Sequence, residues 1–316
     1  MAEIPSPSAR FPALGFPQDT LMLYCIGAQK AGTTWLHRLL QTHPQCHVTR
    51  AKEVHYFDVL DGLTSLEQRQ KRRMRDIQGA LGRLNANMKP TDRSALILID
   101  DALRHLAMYT ALHDETESFD AYIGYLLNEW RSEKVICDIT PSYSLLGTER
   151  FAQMAQLGNA RFAFIMRDPV SRVWSQVRMS VRLDFERDGQ ELHDKAFAEA
   201  CHKRARSFAR SGADNLRRSS YVSTIDRLET KVERERVLYL FFEDLFKDVT
   251  VQKISDFLDL SNDFTQVSSK MNEGISVSID PENARALREV LKEQYDGIFA
   301  RFGDDLPEAW HKWDHV

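Results

Sequence analysis

Long apolar runs are missing from this 316-residue chain. None reaches the ~18 consecutive apolar residues that a membrane-spanning helix requires, so no transmembrane segment is expected. An apolar leader is missing too. Met1 to Thr20 carries Pro5, Pro7, Pro12 and Pro17 and no extended hydrophobic stretch, which argues against a secretory signal and predicts a flexible arm over residues 1–20. Cysteine is sparse: Cys25, Cys46, Cys137 and Cys201 show no Cys-x-x-Cys pairing, and Cys25 and Cys137 lie inside apolar, strand-like runs. Buried free thiols in a reducing compartment, and hence a cytoplasmic location, are the expectation. Positive charge is not in excess either. Lys and Arg total 42 against 46 Asp and Glu, a formal net charge of −4, which argues against a nucleic-acid-binding surface. It does not exclude a polyanionic nucleotide, because a few local cations suffice to hold one. Internal repeats and low-complexity tracts are absent.

What is present fits a folded globular protein. The 43% apolar and 28% charged fractions leave ample material for a core, and the length suits one large α/β domain. Leu21 to Ile26 is a short apolar run that stops at Gly27, the pattern of a strand buried on both faces. Trp35, Leu36, Leu39 and Leu40 then recur at helical spacing, and that helix must end before Pro44. Strand followed by helix returns at Arg161–Met166 and at Val237–Phe242, and Val135–Ile139 is a further buried run. After Arg161–Met166, Asp168 is placed to cap a helix whose first residue is Pro169. The expected fold class is therefore α/β, P-loop-like and three-layered, with a central mostly parallel sheet and helices on both faces. Residues 21–316 read as a single domain with a helical insertion at about 60–134. Two basic stretches, Lys71, Arg72, Arg73 and Arg75 and then Lys203, Arg204, Arg206 and Arg210, read as solvated helix faces, or as the border of an anionic acceptor.

The segment Gly27-Ala28-Gln29-Lys30-Ala31-Gly32-Thr33-Thr34 follows a strand and opens a helix. Successive backbone N–H groups and a helix N-terminus there make a concavity for an anion, and glycines let the backbone approach it closely. A Walker loop reads GxxxxGK[ST]. Both glycines and Thr34 fit that pattern, but Thr33 occupies the lysine position and the lysine has moved back to Lys30. An incidental glycine turn before a helix is the alternative.

Gly27 to Leu36 resembles the GxxKxGTTWL loop of the sulfotransferase family, whose donor is 3′-phosphoadenosine 5′-phosphosulfate (PAPS). Arg167-Asp168-Pro169-Val170-Ser171-Arg172-Val173-Trp174-Ser175 is similar to the family's RDPxxRxxS element. Lys52-Glu53-Val54-His55-Tyr56-Phe57-Asp58 is similar to the KExHFFD segment of its heparan-sulfate type. Phe241 to Leu245 is like the strand ending in YEDL, and Arg218 to Tyr221 is a looser match. The resemblance implies donor binding by Gly27, Gln29, Lys30, Ala31, Gly32, Thr33 and Thr34, with Arg167 and Ser175 on the 3′-phosphate and Tyr221 near the nucleotide. Trp35 is left between stacking on adenine and a place in the core. The resemblance implies Glu53 as the base; His55, two residues on and on the same face of an extended segment, is the alternative, and Lys30 is the cation placed to assist a phosphate leaving group; the bland alternatives are a Glu53–Lys52 pair and a satisfied, partly buried histidine. Asp138 and Ser142, at a strand end, are candidates to face the acceptor. No metal is expected. The acceptor would carry a hydroxyl or amine on a carbohydrate, lipid or small metabolite. One departure is that no clear basic, glycine-containing segment follows Leu260 to close over the donor, Met271 to Gly274 being the nearest. Two rival readings stand beside this one: a small-molecule P-loop kinase, with Asp138 or Glu243 on magnesium, and a non-catalytic nucleotide-binding protein.

Overall fold

The computed structural model describes residues 15–49, 52–84, 89, 92–112, 119–190, 194–211, 216–265 and 277–314. Most of the expected arm and the segment Met271 to Gly274 lie outside the described residues. The elements run β1 (Leu21–Gly27), α1 (Thr33–Gln41), β2 (Cys46–Val48), α2 (Tyr56–Leu60), α3 (Leu66–Gly82), α4 (Arg93–Ala111), α5 (Asp120–Leu126), β3 (Val135–Ile139), α6 (Thr148–Ala155), β4 (Asn159–Met166), α7 (Pro169–Arg187), α8 (Asp194–Ser211), α9 (Tyr221–Glu229), β5 (Val237–Phe241), α10 (Asp248–Leu258), α11 (Pro281–Val290) and α12 (Lys292–Phe302).

The five strands form one sheet in the order β2-β3-β1-β4-β5, and each neighbouring pair is parallel. With helices packed around it, this is the α/β, three-layer fold that the alternation of strand and helix predicts. β1 is central and every one of its residues is buried, which is why its sequence is unbroken by a polar side chain. The three-residue edge strand β2 was not legible: it is too short, and too polar at His47, to stand out as an apolar run. Because β3 and β4 flank β1 on opposite sides, the connections diverge there and leave a crevice beyond the carboxyl ends of these strands.

Local chemistry sets the boundaries that matter to this crevice. Asp168 accepts a hydrogen bond from Ser171 N at 2.8 Å, and Pro169 opens α7, as their order predicts. Ser65 caps α3 in the same way, through Gln68 N. Of the first basic stretch, Lys71, Arg72 and Arg75 on α3 are exposed, whereas Arg73 turns inward and is 6% exposed. All four cysteines are buried and unpaired. Among the described residues, no helix is long and apolar enough to cross a membrane.

Candidate active site

The loop after β1 is shaped by its backbone. Gly32 has φ +92°, and a Cβ there would lie 2.5 Å from Leu245 Cδ2 and 3.0 Å from Phe242 Cδ2, so only glycine lets the loop rest on the turn after β5. Gly32 is also the N-cap of α1 and brings no capping side chain, which leaves the positive end of the helix facing the crevice. Lys30 extends from this loop toward α7, its Nζ 3.6 Å from Met179 Sδ. Burial lowers the Lys30 pKa, and the charges of Arg167, Arg182, Arg178 and Lys52 lower it further. Those four groups are all cations, gathered from three elements around one ammonium. Their mutual repulsion is only partly offset by Glu53 on Lys52 at 3.3 Å and Glu186 on Arg182 at 3.4 Å, so the cluster favours an anion.

Arg167 sits where β4 ends. Its Nη1 donates to Lys30 O at 3.1 Å, and its guanidinium lies 4.3 Å from the centroid of the Phe242 ring. Its Nε is buried with no hydrogen-bond partner among the described residues. The turn is held from behind. Tyr221 is 1% exposed and its hydroxyl donates to Arg167 O at 2.9 Å, so it supports the arginine's backbone from beneath. Glu243 accepts from Asp168 N at 3.0 Å and from Trp310 Nε1 at 2.9 Å. Trp313 Nε1 donates to Asp168 Oδ1 at 2.9 Å, and the Tyr295 hydroxyl bonds Asp168 Oδ2. Ser175 is half-buried two turns along α7, one turn before Arg178. The fully buried Arg172, whose pKa burial lowers to about 10, donates to Ser219 and to Gln176 and so ties α7 to the turn that carries Arg218.

A second constellation lies beyond the loop. Lys52 Nζ donates to Thr34 Oγ1 at 2.8 Å and lies 3.4 Å from Thr33 Oγ1 and 3.3 Å from Glu53 Oε1. The Glu53–Lys52 pair therefore exists, and it reaches into the phosphate loop. His55 Nε2 is 3.4 Å from Glu53 Oε2, while its Nδ1 is 2.9 Å from Asp58 Oδ2. Ser142 donates to the same Asp58 oxygen at 2.8 Å. The imidazole thus stands between two carboxylates, oriented by one and touching the other. Burial alone would raise the Glu53 pKa, but His55 and Lys52 outweigh it and hold the carboxyl down to about 2, so Glu53 is an ionised acceptor at neutral pH. Arg73 Nη2 donates to Glu53 O at 3.0 Å, and Arg218 feels the charges of Glu53 and Asp58. Glu53 and His55 have φ +66° and +62°. Left-handed backbone costs an L-residue about 1–2 kcal/mol, so this loop is strained at both of its functional side chains.

The structure brings Lys30, Thr33, Thr34, Arg167, Glu53 and His55 to one edge of the sheet, with Lys52 linking the cationic half to the carboxylate half. It takes two residues away. Trp35 is 4% exposed and packs edge-on against Phe246, so of its two readings the core is the one realised, because a buried indole offers no face to adenine. Asp138 is fully buried beneath the site and does not face an acceptor. The sequence reading missed Lys52 and Asp58 as site residues, although both lie in the quoted Lys52–Asp58 segment. Arg73, read with its neighbours as a solvated face or the border of an anionic acceptor, instead turns inward onto Glu53 O.

A parallel α/β fold with a phosphate-type loop, convergent cations and a carboxylate–imidazole pair at its carboxyl edge is an architecture of the P-loop-like class. The model of the sulfotransferase family matches residues 23–265, and the chain belongs to that family. Among solved structures, a sulfotransferase from Alicyclobacillus acidocaldarius is 19% identical and covers 93% of this chain and 99% of its own, with a TM-score of 0.56, which supports the fold. The sulfotransferase domain of the Synechococcus PCC 7002 olefin synthase is 17% identical and covers 94% of this chain and 98% of its own, with a TM-score of 0.43. A search of curated proteins finds no match. These likenesses reach the family as a whole and do not extend to the heparan-sulfate type.

Proposed function

We propose that this protein transfers a sulfuryl group from PAPS to a hydroxyl or amine of an acceptor by in-line displacement. One observation carries the reading: the Lys30 ammonium feels the charges of Arg167, Arg182, Arg178 and Lys52, cations near the carboxyl edge of the sheet where an anionic donor would meet them. The buried, unpartnered Nε of Arg167 fits the same demand for an anion. Gly27 to Thr34 and Lys52 would hold the 5′-phosphosulfate, and Arg167 with Ser175 the 3′-phosphate. When bound, the donor supplies an activated sulfuryl group on a phosphate leaving group.

The remaining work falls to this chain's side chains. Lys30 offsets charge as it develops on the leaving oxygen, where a preoriented cation is worth most. Glu53 accepts the acceptor's proton. With a pKa near 2 it is ionised but weakly basic. Drawing Lys52 from Glu53 onto the donor phosphate would remove one of the two groups that hold the carboxyl down and raise its basicity as the donor site fills. His55, oriented by Asp58, is then the partner that steadies Glu53 or relays its proton.

Isothermal titration with 3′-phosphoadenosine 5′-phosphate (PAP) against ATP, followed by radiolabelled sulfuryl transfer to a panel of phenol, sugar, lipid and amine acceptors, tests this. Tight binding of PAP and transfer that persists in a chelator are expected. Binding of ATP alone, with activity lost in the chelator, would transfer the assignment to a kinase. That rival has little to build on, because both carboxylates it would need for magnesium are engaged: Asp138 by three hydroxyls and Glu243 by Asp168 N and Trp310.

A further inference from the structure

The Glu53–Val54–His55 loop keeps two left-handed residues, one on each side of Val54, that its own sequence does not favour. Strain of this kind persists only where the surroundings over-determine the backbone. Besides Arg73 on Glu53 O, two hydrogen bonds hold the loop: Val54 N donates to Thr140 Oγ1 at 2.9 Å, and Tyr56 N donates to the Tyr143 hydroxyl at 3.1 Å. Both acceptors are hydroxyls, which could equally well have turned their protons toward the loop and failed to accept. What turns the protons away is a single carboxylate. Thr140 donates to Asp138 Oδ1 at 2.6 Å, and Tyr143 and Tyr122 donate to Asp138 Oδ2 at 3.0 and 2.7 Å.

Asp138 is fully buried near the end of β3, and its charge is met by hydroxyl protons. An ionised carboxylate only accepts, so it commits each hydroxyl to donate inward and leaves the lone pairs outward, facing the two amides of the loop. We propose that Asp138 is a positioning residue: acting through Thr140 and Tyr143, it fixes the strained Glu53–Val54–His55 backbone in the geometry that presents the Glu53 carboxylate and the His55 ring. The geometric part stands on the hydrogen bonds alone. Its catalytic consequence rests on the function proposed above.

The experiment separates the two. Site-resolved amide hydrogen exchange is measured on the full chain for wild type, Asp138→Asn, Thr140→Val and Tyr143→Phe. An asparagine at 138 can still accept from Thr140, but its amide must donate to a tyrosine, which reverses the Tyr143 branch. Asp138→Asn and Tyr143→Phe are therefore expected to speed exchange at Tyr56 by about tenfold or more, with a smaller change at Val54 in Asp138→Asn. Thr140→Val is expected to do the reverse, freeing Val54 and sparing Tyr56. Amides of β1 and β4 should keep wild-type rates. On an acceptor that wild type sulfates, Asp138→Asn should lower kcat while the PAP dissociation constant stays within about threefold, since the donor loop hangs from β1. Wild-type exchange at Val54 and Tyr56 in the Asp138 variant would overturn the proposal, as would a uniform rise that includes β1 and β4, which marks a residue of the core and nothing more. If Asp138→Asn does not fold, the two single-branch variants decide the matter by the same amides. Should PAP fail to bind wild type, the proposed function falls and the exchange pattern still tests the relay.

Discussion

Replacing Lys52 by methionine keeps the aliphatic stem and removes one ammonium that touches both halves of the site. Lys52 Nζ lies 2.8 Å from Thr34 Oγ1 and 3.3 Å from Glu53 Oε1, and its side chain is 22% exposed, so its charge is only partly screened. Two consequences follow from those contacts. A charge-assisted hydrogen bond to a phosphate contributes roughly 1.5–3 kcal/mol, so Lys52→Met should weaken PAP binding by about 10- to 150-fold at moderate ionic strength. Lys52→Arg, which retains the charge, should lose far less. The second consequence falls on Glu53. Burial is the largest influence on its carboxyl and raises its pKa; His55 and Lys52 together reverse that and bring it to about 2. With Lys52 gone, burial is opposed by His55 alone, and the Glu53 pKa must move up. Isothermal titration reads the first effect, and a carbon-detected NMR titration of the Glu53 carboxyl reads the second. A PAP affinity within twofold of wild type, together with an unmoved Glu53 titration, would refute the placement of Lys52 as the link between donor and base.

Further outcomes can be measured alongside it. Lys30→Ala should reduce sulfuryl transfer by about 10²–10³ in a single-turnover assay with a responsive acceptor, as loss of a cation at the leaving oxygen does. Glu53→Gln should cost about 10²–10⁴ in the same assay and leave PAP affinity nearly unchanged in titration. Gly32→Ala forces a Cβ to within 2.5 Å of Leu245 at φ +92°, a cost of about 1–3 kcal/mol that should lower the thermal midpoint by several degrees in a calorimetric scan. Burial pushes the Asp138 carboxyl up from 3.8 to about 6, against the lowering effect of Thr140, Tyr122, Tyr143 and nearby His55. The folded state then binds this proton more tightly than the unfolded chain, so stability is lost as pH rises from about 4 to about 6, by up to about 3 kcal/mol from this group. Glu53 has the opposite sign: its stabilisation is lost as pH falls from 4.5 toward 2. Urea unfolding across pH 4 to 6.5 should therefore show a downward slope that is flattened in Asp138→Asn, and equal slopes would contradict it.

The parts of this molecule that could be read from its sequence are those in which one short stretch holds both the chemistry and its scaffold. Gly27 to Thr34 announces itself because strand, glycines, lysine and helix start are contiguous, and Arg167 to Ser175 because Asp168 and Pro169 dictate the helix that carries Ser175. The Lys52–Asp58 segment was only half legible. Its Glu53 and His55 stood out as titratable groups two apart, yet an extended strand would have put them on one face, and the structure instead uses left-handed backbone at both, which lets Glu53 meet His55 Nε2 while Asp58 reaches Nδ1. Alternation of side chains cannot predict that geometry.

What stayed hidden depends on partners far apart in the chain. Nothing in the sequence around Trp310, Trp313 and Tyr295 points to the site, yet each sets its polar side-chain atom on Glu243 or Asp168 beneath Arg167. Buried Trp and Tyr must find such partners, so their presence predicts a hydrogen bond but not its address. Asp138 was misread for the same reason. A carboxylate at a strand end in an α/β fold ordinarily opens onto the ligand. Here the next turn, Thr140 to Tyr143, folds back over it, and Tyr122 closes it from α5, converting an expected contact with the acceptor into the buried acceptor of three hydroxyl protons. The difference between those two fates lies in whether the hydroxyls at positions 122, 140 and 143 converge, and convergence of residues from separate elements is a property of the fold alone.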